Sequence, residues 1–560
     1  MSAKTPSTNT DPQIAIIGAG VGGLAFAIAL KRQWGFKDFI IFERTDDIGG
    51  TWRENTYPGC GSDIAIHWYS LSTDLKPDWT RAYAGQPEIQ SYWQDLTSKY
   101  DLRPSIRFNT NVNSATWNVD EKLWEINTED RKTGVKTHIR TKILVSAIGI
   151  LAEPNTPKFG GVGLEGFKGV SFHSARWDHS LVLSGKRVAV IGNGCSATQF
   201  VPIISADPTV NVVHFCRTPM WYIPLPQTIY SSFTIWLFRY VPFVARLYRL
   251  YTAVKEDTRF IAFRGEKSFL SRVLAKTLRS YITNRAPAEY VDKLIPNYPP
   301  GCRRLIPGTD YLGALHRPNL TQNWDKIEGI AEDGIVTSQG HLPFDVIITA
   351  TGFVTDKYPV HIRGRSGQTV DEFYDGQGGP TAYLGTTLPG FPNFITVSGP
   401  NTVTGHASVI FTDEVQINYA LKLLKPVASS LLTSVEPTVA ALNKYNDWIS
   451  RRLRNSVWTQ CVSWYRAGSQ GKIFSTFPGP VVLLWWFMRK VNWADFEVIP
   501  VEGKAQAWER SKRMGRSVTM LTVLGVLLVG GLVWGRQNGL EVNVPVTFDK
   551  YWAAARALIV

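Results

Sequence analysis

The sequence predicts an α/β fold: two Rossmann-like dinucleotide-binding domains, a helical insertion and a C-terminal hydrophobic helix. Three observations predict it. A short apolar run, a glycine-rich turn and a helical stretch follow one another from residue 14, and again from residue 187. An aromatic-rich stretch over 225–300 interrupts the alternation of strands and helices found elsewhere. An uncharged run over 518–535 stands near the C-terminus. Strands alternating with helices are the pattern of a parallel sheet covered on both faces.

The first unit begins with the β-type run Ile14–Ile17, followed by Gly18-Ala19-Gly20-Val21-Gly22-Gly23. Gly18 serves the tight turn, Gly20 lets backbone approach a pyrophosphate, and Gly23 lets the helix pack on the strand. The free N–H groups and dipole of the helix N-terminus then stabilise phosphate. A second apolar run, Phe39–Phe42, ends at Glu43, twenty residues after Gly23. A carboxylate there can accept hydrogen bonds from a ribose diol, which suits FAD or NAD.

The second unit has the strand run Arg187–Ile191, a turn with Gly192, Gly194, Ser196 and Ala197, and a strand run over 210–215. Arg217 stands twenty residues after Ala197, with Thr218 beside it. A guanidinium pairs bidentately with phosphate and has no use for a bare diol. The 2′-phosphate distinguishes NADP from NAD, so this unit is expected to bind NADPH.

Composition excludes other classes. The 560 residues, 44% of them hydrophobic, suffice for two or three domains with buried cores. The net charge of +14 suits anionic cofactors or an anionic surface. No zinc-finger spacing and no basic helix interleaved with stacking aromatics points to nucleic acid. The five cysteines are far apart and form no CxxC pair, which argues against a disulfide framework, a structural zinc site and a disulfide-reductase chemistry. A reducing compartment fits that usage, and no metal site is expected.

The eighteen residues of 518–535 are flanked by Arg516 and Arg536. That length just suffices for one membrane span. The cationic excess on its N-terminal side would keep the catalytic domains cytosolic. The alternatives are a buried terminal helix, an interfacial one, or a cytoplasmic protein. The 225–300 insertion reads as a cover for the active site, a membrane-interface element or ordinary helical packing.

Further motifs carry a family resemblance. Gly49-Gly50-Thr51-Trp52 is similar to the segment that runs along the flavin in flavin monooxygenases, and Tyr57-Pro58-Gly59 with Asp63 resembles the segment that follows it. Phe167, Gly169, His173, Trp177 and Asp178 match FxGxxxHxxxW[P/D], the signature of type I Baeyer–Villiger monooxygenases. Ala147-Ile148-Gly149 and Ala350-Thr351-Gly352 resemble the family's two ATG-type strand ends, with Ile148 departing from the usual threonine. Gly399-Pro400-Asn401-Thr402 with His406 resembles its GPN segment; Trp458, Cys461, Ser463, Trp464 and Tyr465 look like its late FAD-domain segment.

The resemblance implies an FAD-binding domain over 1–152 and 386–503, an NADPH-binding domain over 153–385, and a tail over 504–560. It implies that Gly50, Thr51, Trp52, Asp63 and Tyr69 line the FAD, and that Ser196, Thr218, Arg303, Thr351 and Gly352 serve the cofactors. Arg304, in Arg303-Arg304, would be the catalytic arginine, with Asp63 as its partner. The implied reaction uses NADPH and O₂ to insert one oxygen beside a ketone carbonyl through a C4a-peroxyflavin, giving an ester or lactone. The expected substrate is a small-molecule lipophilic ketone of secondary-metabolite type. N- or S-oxygenation or hydroxylation is the alternative. His173 and Trp177 are expected to tie the domains rather than to transfer protons.

Overall fold

The computed structural model describes residues 11–265, 268–308 and 310–512. Of these, 11–428 with 434–498 form one compact unit, and 429–433 with 499–512 another. The strands and helices that position the site lie in the first unit. They are β1 (Ile14–Ile17), α1 (Val21–Trp34), β2 (Phe39–Phe42), β3 (Ile106–Arg107), β4 (Ile143–Ser146), β5 (Val170–His173), β6 (Arg187–Ile191), α2 (Cys195–Ile204) and β7 (Asn211–Phe215). Then come α3 (Ser232–Tyr240), α4 (Val244–Asp257), α5 (Phe269–Arg285), β8 (Leu320–Asn323), β9 (Val346–Thr349), β10 (Phe394–Thr396), α6 (Val409–Ala428) and α7 (Val481–Met488).

Two five-stranded parallel sheets organise this unit. The first has the order β10-β4-β1-β2-β3 and the second β5-β9-β6-β7-β8. The strands at the centre of the first sheet are almost wholly Ile, Val, Leu and Phe because both faces are covered: every residue of β1, β2 and β4 is buried. α1 lies on the first sheet through Leu24, Phe26, Ile28 and Leu30, and Gly35 ends it in the left-handed region. β10 reaches the first sheet from far along the chain, placing Phe394 beside Leu144.

The insertion is helical, as its period predicts. Ser231 and Ser268 cap α3 and α5 by accepting from the Thr234 and Ser271 N–H groups. On its inner side, Tyr230, Phe238 and Tyr248 box the His67 ring at 5.4, 4.6 and 5.2 Å. Burial there pushes the His67 pKa down to about 4, so the ring is neutral. Arg249 reaches inward from α4 and donates to the Ser70 carbonyl and to Glu414 of α6, both at 3.2 Å.

The structure corrects one expectation. Cys302 and Cys461 form a disulfide; they are 159 positions apart in sequence, yet their Cα atoms lie 6.1 Å apart. Spacing along the chain cannot reveal a pair that only the fold brings together. A bond closing so long a loop restricts the unfolded chain, by roughly 2–4 kcal/mol. Mild reduction is therefore expected to lower the thermal midpoint, while a Cys302→Ser variant should be insensitive to the same reductant. The predicted C-terminal hydrophobic helix over 518–535 lies outside the described residues. Among the described residues, no helix is long and apolar enough to cross a membrane.

In the second unit, the Val501 N–H donates to the Leu431 carbonyl at 3.1 Å and the Lys504 ammonium to the Ser430 carbonyl at 3.0 Å.

Candidate active site

The first glycine-rich turn connects β1 to α1. A Cβ on Gly23 would sit 1.9 Å from the Gly18 carbonyl oxygen, so only glycine lets α1 start so close to the strand. A Cβ on Gly50 would lie 2.8 Å from the Gly20 Cα, so the GGTW loop meets this turn backbone to backbone. Glu43, buried at the end of β2, braces the turn. One carboxylate oxygen accepts the Ala19 N–H at 2.8 Å, and the other accepts from Thr45 N–H and Oγ1 at 2.9 and 2.7 Å. No side chain caps the α1 N-terminus. Trp52 is buried, its Nε1 has no hydrogen-bond partner among the described residues, and its ring meets Tyr69 edge-on at 5.7 Å. Uncapped N–H groups beside two close-packed backbones fit a pyrophosphate, and the orphaned indole N–H fits a polar ligand alongside it.

The second turn connects β6 to α2 in the same way. Gly192 has φ +107, Gly194 opens α2 with no side-chain cap, and space stands open where a Gly194 Cβ would be. Ala197 is fully buried, Ser196 lies in the first helical turn, and Asn193 Nδ2 donates to the Thr218 carbonyl at 2.8 Å. Arg217 is exposed just past β7. Burial lowers the Arg303 pKa, and the Arg217 charge lowers it further. The Arg303 guanidinium lies 5.7 Å from the Tyr298 ring centre, and its Nε has no partner among the described residues. Among the described residues no carboxylate pairs with Arg217 or Arg303. Two neighbouring cations without an anion fit the extra phosphate of NADPH. Thr351 and Gly352 lie past β9. Thr351 Oγ1 donates to the Asn155 carbonyl, and the Asn155 N–H donates to the Gly352 carbonyl at 2.9 Å, tying the strand end to the domain linker.

Arg304 and Asp63 meet although 241 positions separate them. Arg304 Nε and Nη2 both donate to Asp63 Oδ2, at 2.7 and 2.5 Å. Burial alone would lower the arginine's pKa, but the Asp63 carboxylate outweighs it and holds the group above its usual value. Cys195, the first residue of α2, senses the same pair. Burial raises its thiol to about 11, with Asp63 adding to the effect. The buried Tyr465 phenol is raised to about 12 by burial, which the Arg304 charge partly opposes. Tyr69 feels both Asp63 and Arg304. The pair is therefore close enough to Cys195 of the second turn and to Tyr69, which packs on Trp52, for each to feel its charge.

The signature segment resolves into separate physical tasks. Phe167 is buried in the core of the second sheet, and a Cβ on Gly169 would meet the Asp345 carbonyl oxygen at 2.5 Å. His173 Nδ1 accepts the Ala175 N–H at 3.1 Å, and burial lowers its pKa to about 4. A neutral, buried ring used as a backbone acceptor positions the chain. Trp177 packs on Phe172 at 5.4 Å and on Phe200 of α2 at 5.1 Å. Phe200 in turn meets Tyr57 at 5.9 Å, and Tyr57 Oη donates to Gln199 at 2.9 Å. Trp177 thus joins the linker, the second nucleotide helix and the YPG segment. Asp178 closes a local turn, accepting from Ser180 N–H and Oγ.

Sequence reasoning missed Cys195 beside Arg304 and Gln199 under Tyr57; both are unremarkable letters of a helix. It also missed Asp413 on α6. A Cβ on Gly22 would lie 3.6 Å from Asp413 Oδ2, and Ser398 Oγ donates to Oδ1 at 2.6 Å. Burial raises this carboxyl to about 7. Its folded pKa then exceeds the unfolded one, so the folded state keeps a proton that the unfolded chain releases. Stability from this group is full below about pH 4 and falls until about pH 7, at about 1.4 kcal/mol per pH unit. Asp413→Asn should flatten the decline in thermal midpoint between pH 5 and pH 7. An unchanged profile would mean that Asp413 is ionised in the fold.

Comparison with known proteins agrees with this arrangement. Residues 11–225 match the model of the flavin-binding monooxygenase-like family. A Baeyer–Villiger monooxygenase of Pseudomonas aeruginosa is 37% identical over 483 residues, covering 85% of this chain and 89% of that protein. One from Streptomyces coelicolor is 34% identical, covering 89% and 95%. The crystal structure of cyclohexanone monooxygenase from Rhodococcus sp. Phi1 bound to NADP⁺ superposes with a TM-score of 0.77 at 26% identity, over 88% of this chain and all of that one. The two nucleotide folds, the partly buried arginine–aspartate pair and these relatives together place the chain in the Baeyer–Villiger monooxygenase family, as a flavoprotein that uses FAD and NADPH.

Proposed function

We propose that the chain inserts one oxygen beside the carbonyl of a lipophilic ketone, with Arg304 and Asp63 at the reacting centre. The observation that carries this is the Arg304–Asp63 pair close to Cys195 of the second turn and to Tyr69. When bound, FAD and NADPH supply hydride transfer and oxygen activation.

The chain's own residues do the rest. The α1 N-terminus with Gly18, Gly20 and Gly23 holds the FAD pyrophosphate; Arg217 and Arg303 hold the NADPH 2′-phosphate. Arg304 is a permanent cation, so it stabilises negative charge without giving up its proton. Asp63 fixes the guanidinium's direction. The buried rings of Trp52 and Tyr465 exclude water, which strengthens that charge's effect. Neutral His173 and the Trp177 wedge hold the two nucleotide turns in register.

The deciding experiment supplies ketone, sulfide and amine panels with NADPH and oxygen, and reads product masses. A gain of one oxygen with ester fragmentation from ketones is the expected result. Sulfoxides or N-oxides alone would overturn the ketone assignment. The reading includes attachment to a membrane through 518–535, supported by its length and flanking charge. Removing residues 505–560 then lowers the pelleted fraction; an unchanged pelleted fraction assigns attachment elsewhere.

A further inference from the structure

Three helices of the first unit expose apolar stripes to solvent. On α3, Phe233, Trp236 and Tyr240 are 50–67% exposed. On α4, Leu247, Leu250, Tyr251 and Val254 are 56–63% exposed. On α7, Val482, Trp485 and Trp486 are 45–55% exposed. Each set has the three- and four-residue spacing of one helix face. An amphipathic helix at a protein surface ordinarily turns that face inward. Here the inward faces are already occupied: Phe238 packs on His67, and Ala253 and Val481 join one cluster with Ile64 and Trp68. The outer stripes form a second apolar surface.

Two links join these stripes. Asp257 ends α4 and caps α7, its two oxygens accepting the Val481 and Val482 N–H groups at 2.7 and 3.3 Å. Phe243, 70% exposed, bridges α3 and α4. The surroundings are cationic. Residues 231–285 hold eleven lysines and arginines against three acids. Of those acids, Glu256 is buried against Arg259 and Asp257 is committed to α7. Arg246, Lys255, Arg264, Arg272 and Lys276 are exposed. A second copy would oppose this charge with the same charge, whereas anionic headgroups complement it. Trp and Tyr suit the headgroup level, and the Arg489 guanidinium lies 3.3 Å from the Trp486 ring centre, as an arginine stem and head spanning that boundary would.

We propose that α3, α4 and α7 form a peripheral docking face for an anionic lipid bilayer, with their stripes seated at the headgroup–acyl boundary. This is a monotopic contact, separate from the tail run over 518–535. It rests on the helices alone and stands apart from the ketone assignment. The inner sides of α3 and α4 pack on His67 through Phe238 and Tyr248.

The test uses full-length holoenzyme and sedimented vesicles of phosphatidylcholine with or without phosphatidylserine. Binding is expected to be at least tenfold tighter to the anionic vesicles and to weaken with added salt. The double substitution Leu250→Glu with Trp486→Ser should reduce it at least tenfold, with flavin absorbance and turnover of a water-soluble ketone unchanged. Leu527→Arg, in the tail run, should leave the anionic preference in place. The proposal falls if the double variant binds like wild type while Leu527→Arg abolishes binding, which assigns attachment to the tail. It falls equally if sedimentation shows a dimer that the double variant dissolves, or if vesicle binding appears only in Leu527→Arg, which would mean that the tail covers the face. Turnover is read separately, so loss of ketone oxidation leaves the docking result interpretable.

Discussion

Arg304→Ala is expected to leave FAD bound and reducible by NADPH while ester formation falls by at least 10²–10³-fold, the range found on removing one preorganised charge or donor from an active site. The geometry sets this size. The guanidinium is held by two contacts to a single aspartate oxygen, and its charge state cannot change within the working pH range. Oxygen consumption should continue as uncoupled NADPH oxidation. Arg304→Lys keeps a charge but loses the forked contact to Asp63, so it should recover only part of the rate. Asp63→Ala leaves the arginine without its partner and should lower turnover through misorientation. Normal ester yields from Arg304→Ala, measured by product mass spectrometry, would remove this residue from the reacting centre.

The second large effect concerns coenzyme choice. Arg217→Ala should raise the Michaelis constant for NADPH by roughly 10–100-fold and leave that for NADH nearly unchanged, the loss of a charge-assisted phosphate contact of about 1.5–3 kcal/mol. Arg303 should support the residual preference, because its charge lies close enough to Arg217 to be felt. A double substitution at 217 and 303 should then bring the two coenzymes close to parity. Equal effects on both coenzymes from Arg217→Ala would place the 2′-phosphate elsewhere.

What could be read without coordinates follows from distance along the chain. The turns at Gly18–Gly23 and Gly192–Ala197, with Glu43 and Arg217 at fixed offsets, are local geometry, and local geometry is written in adjacent letters. The pairing of Arg304 with Asp63 is not local, and only likeness to a family pointed to it. Cys302 with Cys461 had no such signal, and spacing argued the wrong way. Asp413 was invisible for another reason: an aspartate in a helix is ordinarily a solvated one, and only burial behind Gly22 makes it otherwise. The helical character of the insertion was legible from its period. Which side of each helix faces outward was not, because apolar residues occur on both sides of α3 and α4.

Asp257 bears on how this scaffold could be re-engineered. Its carboxylate accepts two backbone amides of α7 and lies 3.2 Å from His406 Nε2, so a single side chain rivets the α3–α5 lobe to the polypeptide that follows the GPN loop. Grafting that lobe from a homologue, to widen the range of compounds admitted, would strand those amides unless an acidic residue arrived at the same place. A chimera that transfers the lobe together with α7 keeps both halves of the rivet, and should fold where the smaller transplant does not.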